Sequence, residues 1–147
     1  MLGAVIALAI ASCERGDDSK PPQSVLAEFD KMFPDASDIQ WEWNDHYWIA
    51  SFRIVNTSGS KAHTAWYTQN GDWIRTETNV PIASIPQIII KYLITSPDYM
   101  TASFVDENVC HIQTPSGDFY RFNMVRNGQR IVVDVNINGL VTFVRYD

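Results

Sequence analysis

Three histidines, two cysteines and a scatter of carboxylates are the residues of this 147-residue chain with the clearest capacity for chemistry. His46 sits beside Tyr47 in a turn, His63 lies in a strand-like run between Lys61 and Ala65 at period two, and His111 follows Cys110. No pair of histidines has a recognised ligand spacing, such as four apart on a helix. Adjacent strand residues point to opposite faces, so Cys110 and His111 cannot act as a local pair. The spacing therefore predicts no metal site. A thiol–imidazole pair of Cys110 with His46 or His63 stays open, because nucleophile and base are commonly distant in the chain. The plainer expectation for Cys110, within Val109-Cys110-His111-Ile112, is a small buried hydrophobe. Asp35, Asp38, Asp45, Asp72, Asp98, Asp106, Glu107 and Asp118 fall in or beside turns, which they form and solvate. There is no Gly-rich phosphate loop, nucleophile elbow or dinucleotide fingerprint. The expectation is a protein that is not an enzyme and takes no cofactor.

Aromatic residues carry the other signal. They make up 12% of the chain, and all five tryptophans (Trp41, Trp43, Trp48, Trp66 and Trp73) fall in its first half. Trp48 shares a strand face with Ala50, Phe52 and Ile54, which makes it core, and Trp41 and Trp43 read the same way. Trp73 alternates with Arg75 and Glu77, which predicts that Trp73 and Arg75 point away from the helices. A sheet face carrying Tyr47, Trp66, Trp73 and Arg75 has the composition of a protein-binding surface. The net charge of −6 and pI near 4.9 exclude the clustered basic residues that nucleic acids and anionic membranes require.

These side chains need elements to position them. Val25, Leu26, Phe29, Met32 and Phe33 make a helical stripe over Gln23–Phe33, ended by Pro34-Asp35. Ile39, Trp41 and Trp43 then alternate as a strand, followed by strands at Tyr47–Val55, Lys61–Thr68 and Asp72–Thr78. The order recurs. Ser84 is placed as an N-cap with Pro86 in the first turn, and Ile85, Ile88, Ile89, Tyr92 and Leu93 form the stripe. Strands follow around Thr101–Val105, Val109–Thr114, Phe119–Val125, Ile131–Ile137 and Leu140–Arg145. Pro86 follows Pro22 by 64 positions, Pro97-Asp98 follows Pro34-Asp35 by 63, and Gly139 follows Gly71 by 68. Such offsets predict a tandem repeat of one helix plus an antiparallel four-stranded meander. The fold class is α+β, with two helices packed on one face of a curved sheet. The domain spans residues 23–147, as repeats of about 23–79 and 80–147.

Residues 1–12 read as a signal peptide. The run Leu2–Ile10 is far shorter than the roughly 20 residues a bilayer span takes. Ile10-Ala11-Ser12-Cys13 resembles the lipobox of bacterial lipoproteins, which makes Cys13 the lipidated residue. The absence of Lys or Arg in Met1-Leu2-Gly3 points to a start inside a longer leader. Residues 13–22 then form a flexible tether. With Cys13 spent on lipid, Cys110 has no disulfide partner.

Several short motifs together resemble the PepSY-like bacterial lipoproteins, also described as β-lactamase-inhibitor-like. They are the helix ending in Phe33-Pro34-Asp35-Ala36 before Trp41, then Ala65-Trp66-Tyr67, Gly71-Asp72-Trp73, Thr76-Glu77-Thr78 before Pro81, and the helix reaching Tyr92. The second half departs from the pattern in having no Trp. The resemblance implies the tandem helix-plus-sheet fold and a place in the bacterial cell envelope, periplasm or outer membrane, with membrane contact only through lipid at Cys13. It implies no activity. The functional expectation is a non-enzymatic lipoprotein that binds an envelope protein or peptide through its open sheet face, with inhibition as one form of that binding. The alternative is a carrier or sensor for a small apolar ligand held between sheet and helices, which requires a cavity there.

Overall fold

The computed structural model describes residues 20–147; the leader, Cys13 and the tether up to residue 19 lie outside the described residues. Helix α1 (Gln23–Met32) starts directly after Pro22, whose carbonyl accepts from Val25 N at 3.0 Å and Leu26 N at 3.1 Å. It stops where Phe33 N donates to the Phe29 carbonyl at 2.8 Å, just before Pro34. Strands β1 (Ala36–Trp43), β2 (Trp48–Asn56), β3 (Gly59–Tyr67) and β4 (Trp73–Pro81) follow. A 3₁₀ turn (Ile82–Ser84) leads to α2 (Gln87–Ile94), then β5 (Ser103–Phe104), β6 (Asn108–Thr114), β7 (Gly117–Arg126), β8 (Gln129–Asn136) and β9 (Val141–Tyr146). The hydrogen-bonded order is β1-β2-β3-β4-β6-β7-β8-β9 in a nine-stranded antiparallel sheet, with β5 pairing β7. The α+β class is as expected.

The chain forms two compact units, one of residues up to Ser60 with Thr64–Ile74, the other of Lys61–His63 with Arg75–Asp147. Strands β3 and β4 contribute to both. In the first unit the apolar stripe of α1 buries Val25 and Phe29 against Trp48, Ala50 and Phe52 of β2 and Ala65 and Tyr67 of β3. Phe29 meets Trp41 and Phe52 edge-on, with ring centroids 5.1 and 5.0 Å apart, the geometry in which the positive ring edge meets the negative face. Trp41 and Trp43 pack against this core, as their alternation predicts. Ile39 does not follow them and is 40% exposed. The pairing of β1 with β2 shifts register between Ser37 and Gln40, where Asp38 takes φ 51°, so period two is lost just there.

In the second unit Ile85, Ile89 and Leu93 sit against Val80, Val109, Phe122, Met124, Val133 and Val135. Three expectations fail here. Ser84 does not cap α2: its hydroxyl donates to the Pro81 carbonyl at 2.7 Å within the 3₁₀ turn, and the helix begins at Gln87. Pro86 pushes the residue before it out of helical space, and Ile85 is extended at ψ 158°. Ile88, placed on the buried stripe, is 45% exposed. The strand expected over Thr101–Val105 shrinks to β5, which pairs Met124 and Val125, beyond the stretch of β7 that β6 occupies.

Candidate binding face

Alternation along three strands of the second unit separates two faces. Thr76, Thr78 and Val80 of β4, Tyr120, Phe122 and Met124 of β7, and Ile131, Val133 and Val135 of β8 are buried on the side that α2 covers. Their intervening neighbours face the other way. The register lines up Asn79, Cys110, Arg121, Asp134 and Thr142 as one row across β4, β6, β7, β8 and β9. Flanking it on the same face are Arg75, Glu77, Phe119, Asn123 and Arg145. Val132 and Ile112 share this face by register yet are 0% and 1% exposed, so the long polar side chains around them act as their cover.

Charges on this face are largely paired. Arg121 Nε and Nη2 donate to both carboxylate oxygens of Asp134 at 2.8 and 2.9 Å, the bidentate fork that fixes a guanidinium plane. Its guanidinium carbon stands 5.8 Å from the centroid of Phe119. Arg75 Nε lies 3.3 Å from Glu77 Oε1, and Asn123 Nδ2 donates to Asp106 Oδ2 at 3.1 Å. A polar hollow of 670 Å³ opens among these groups, bounded by Glu77, Asn79, Asp106, Glu107, Cys110, Asn123 and Arg145. Burial, with Glu77 adding to it, pushes the Cys110 thiol up to about 11, so at neutral pH the sulfur is protonated and a poor nucleophile.

No imidazole completes a pair with that thiol in this unit. His111 is turned to the α2 side, where it stacks on Tyr120 (centroids 4.6 Å, planes 9° apart) with Nε2 3.1 Å from Asp118 Oδ2. His63 Nδ1 lies 2.7 Å from the hydroxyl of Thr78, also on the α2 side, and burial followed by Lys61 lowers its pKa. His46 belongs to the first unit, with Nδ1 2.9 Å from the Asp45 carbonyl. The thiol–imidazole pairing of Cys110 with His63 is therefore corrected: one residue faces away from the helix and the other toward it. Cys110 is half-buried among polar groups rather than enclosed in a core.

The residues read from sequence as partner contacts are placed as follows. Trp66 is half-buried and alternates with the buried Ala65 and Tyr67, so it faces away from the α1 core. Trp73 is half-buried and packs against that core instead of standing clear of it. Tyr47 is half-buried in the β1–β2 turn, with its ring 6.3 Å from that of His46. Arg75 lies on the helix-free face of the second unit beside Glu77. Sequence reading missed Arg121, Asp134, Asn123 and Arg145. The signal was present: Arg121 and Asn123 alternate with Tyr120, Phe122 and Met124. The two-residue turn Asn127-Gly128 pairs Arg126 with Gln129, and by counting Arg121 with Asp134.

Comparison with solved structures gives the same architecture. A BLIP-like protein from Bacteroides fragilis aligns at a TM-score of 0.68 and 19% identity, over 87% of this chain and 86% of that one. The fold is BLIP-like. A DUF2874 family protein from Bacteroides ovatus aligns at 0.71 and 21% identity, over 86% and 88% of the two chains. A Bacteroides eggerthii protein, named for an inferred location in the periplasm, aligns at 0.65 and 20% identity over 87% and 88%. No protein-family model matches the chain. No curated protein matches it either. At these identities the BLIP-like likeness is one of fold.

Proposed function

We propose that this BLIP-like chain is a non-enzymatic, lipid-anchored protein of the bacterial cell envelope, PepSY-like in its tandem helix-plus-sheet build, that holds a protein or peptide partner on helix-free sheet surface and acts in an inhibitor-like way. The observation that carries this is the helix-free face of the second unit. It presents paired arginines and carboxylates, an aromatic ring and amide side chains around a thiol held protonated. That is the mixture of an interface, and it lacks the activated nucleophile and base of a hydrolase. Trp66 and Tyr47 in the first unit, and separately Arg75 in the second, are the proposed contacts. The location of the Bacteroides eggerthii neighbour supports the envelope assignment, and Cys13 is the proposed anchor.

The test is capture from envelope extract with the full chain and with Trp66→Ala, Tyr47→Ala and Arg75→Ala, each verified as folded by circular dichroism. Recovery of the partner should fall about tenfold in at least one variant, as for an interface hot spot. Unchanged recovery in all three counts against the proposal. The apolar-carrier alternative has less support. The layer between α2 and the sheet is filled by Ile89, Leu93, Phe122 and Val133, each at most 1% exposed. The apolar hollow of 460 Å³ is lined by the 3₁₀ turn, Ile85 and α2, with Ile82, Ile88 and Ile94 among its residues, and by no strand residue.

A further inference from the structure

Strand β9 ends the sheet, with β8 as its hydrogen-bonded neighbour. Asn136 N donates to the Leu140 carbonyl at 3.1 Å and Asp147 N to the Arg130 carbonyl at 3.1 Å. Bonding and non-bonding pairs alternate along an antiparallel ladder. With the recorded register, the non-bonding pairs are Val141 with Val135, Phe143 with Val133, and Tyr146 with Ile131. The N–H and C=O groups of Val141, Phe143 and Tyr146 therefore face outward. A row of such groups is a template for another strand. Phe143 and Tyr146 are 39% and 57% exposed, with ring centroids 5.0 Å apart on the α2 side of the sheet. On the other side stands Arg145, opposite Val132 at the rim of the polar hollow, with no carboxylate against its side chain among the described residues. Arg121 and Arg75, by contrast, each have one.

We infer that the edge of β9 takes an extended segment of a partner protein as an added strand, one that sets an Asp or Glu beside Arg145 and apolar residues beside Phe143 and Tyr146. Main-chain hydrogen bonds would supply affinity, and alternate side chains on the two faces the selectivity. Opposite charges across a strand pair stabilise it and like charges oppose it. A second copy of β9 fits less well. An antiparallel copy centred on Phe143 and Val144 sets Arg145 against Thr142, and a parallel copy in register sets it against itself. The pairing of β9 with β8 shifts register between Val132 and Val133, as that of β1 with β2 does between Ser37 and Gln40, so the two edges differ in charge instead: β1 carries exposed Asp38 and Glu42. The inference goes beyond the open-face reading and can fail without it.

The probe is a fluorescein-labelled peptide, Thr-Val-Glu-Val-Glu-Val-Thr, titrated with the full chain by anisotropy. Its controls replace both Glu by Lys, or the two outer Val by Pro. The acidic peptide should bind at least about fivefold more tightly than the Lys peptide. Arg145→Glu should reverse that order, Arg145→Gln should abolish the preference, and the Pro peptide should bind weakly, having lost main-chain donors. Equal affinity for both charges, an order unchanged in both Arg145 variants, or no binding by the acidic peptide overturns the inference. So does a dimer, seen by sedimentation, that Arg145→Glu dissociates, since the occupant is then a second copy. Capture by the Trp66 and Arg75 variants is read separately, so either proposal can fall while the other stands.

Discussion

Cys110 is the residue where chemistry was conceivable and where the fold decides against it. Burial and Glu77 lift its pKa from 9.0 to about 11, which leaves about a hundredfold less thiolate at pH 8 than a free cysteine has. Its reaction with a disulfide reagent should be slower than that of the unfolded chain by about tenfold, because the rarer thiolate of a higher-pKa thiol is also the stronger nucleophile. Because the folded value is raised, the stabilisation it reflects is full below pH 9 and is lost as pH rises from 9 toward 11; Cys110→Ser should flatten the stability profile in that window. His63 works in the opposite direction. Its pKa lies below 6.5 through burial and Lys61, so folding loses stability as pH falls below 6.5, and His63→Gln should flatten that acid dependence relative to the variant's own stability at pH 8. Gly71 tests the backbone. It has φ 90°, and a Cβ there would lie 2.6 Å from the Ser24 carbonyl oxygen at the start of α1. Gly71→Ala should cost about 2–3 kcal/mol by denaturant midpoint, against about 1 kcal/mol for Gly128→Ala, whose φ of 76° is met by open space. The motif Asn70-Gly71 marked a turn in the sequence; that the turn presses on the helix was not legible, because contact with Ser24 depends on residues 47 positions apart.

At the scale of elements, period-two alternation was legible wherever strands pair in regular register, as for Trp48, Ala50 and Phe52 or for Tyr120, Phe122 and Met124. It failed at Ile39, where a register shift intervenes, and the N-cap expected at Ser84 failed because the proline after Ile85 delays the helix. Neither the shift nor the delay leaves a mark in hydrophobicity. The β7–β8 hairpin could have been carried further from sequence alone, since Asn127-Gly128 sets its register and puts Arg121 opposite Asp134. Those side chains are 30% and 19% exposed, so solvent screens their attraction only in part. A double-mutant cycle with Arg121→Ala and Asp134→Ala should give a coupling of about 1–2 kcal/mol, reduced by high salt. A coupling near zero would show that the fork orients Arg121 over Phe119 without contributing stability.

At the scale of the whole molecule, consecutive strands joined by hairpin-length turns gave the α+β class, and the compact units exchange parts of β3 and β4. Hairpin spacing in a sequence cannot show which strands two cores share. That sharing bears on cooperativity. A strand whose two ends belong to different cores cannot lose its pairing in one without exposing backbone groups that the other has ordered, and such groups are costly to leave unpaired. A single unfolding transition is therefore expected. The tryptophans offer a direct measure, because all five lie between Trp41 and Trp73, within the first unit, while far-ultraviolet dichroism reports on both. Ile89, 1% exposed, is packed wholly within the second core, and Ile89→Ala should destabilise by about 2–5 kcal/mol. If the units unfold together, tryptophan fluorescence must register that loss although all five tryptophans belong to the first unit. Its midpoint should move as far as the dichroism midpoint. A fluorescence transition that stays in place while dichroism splits into two steps would mean that the shared strands do not couple the cores.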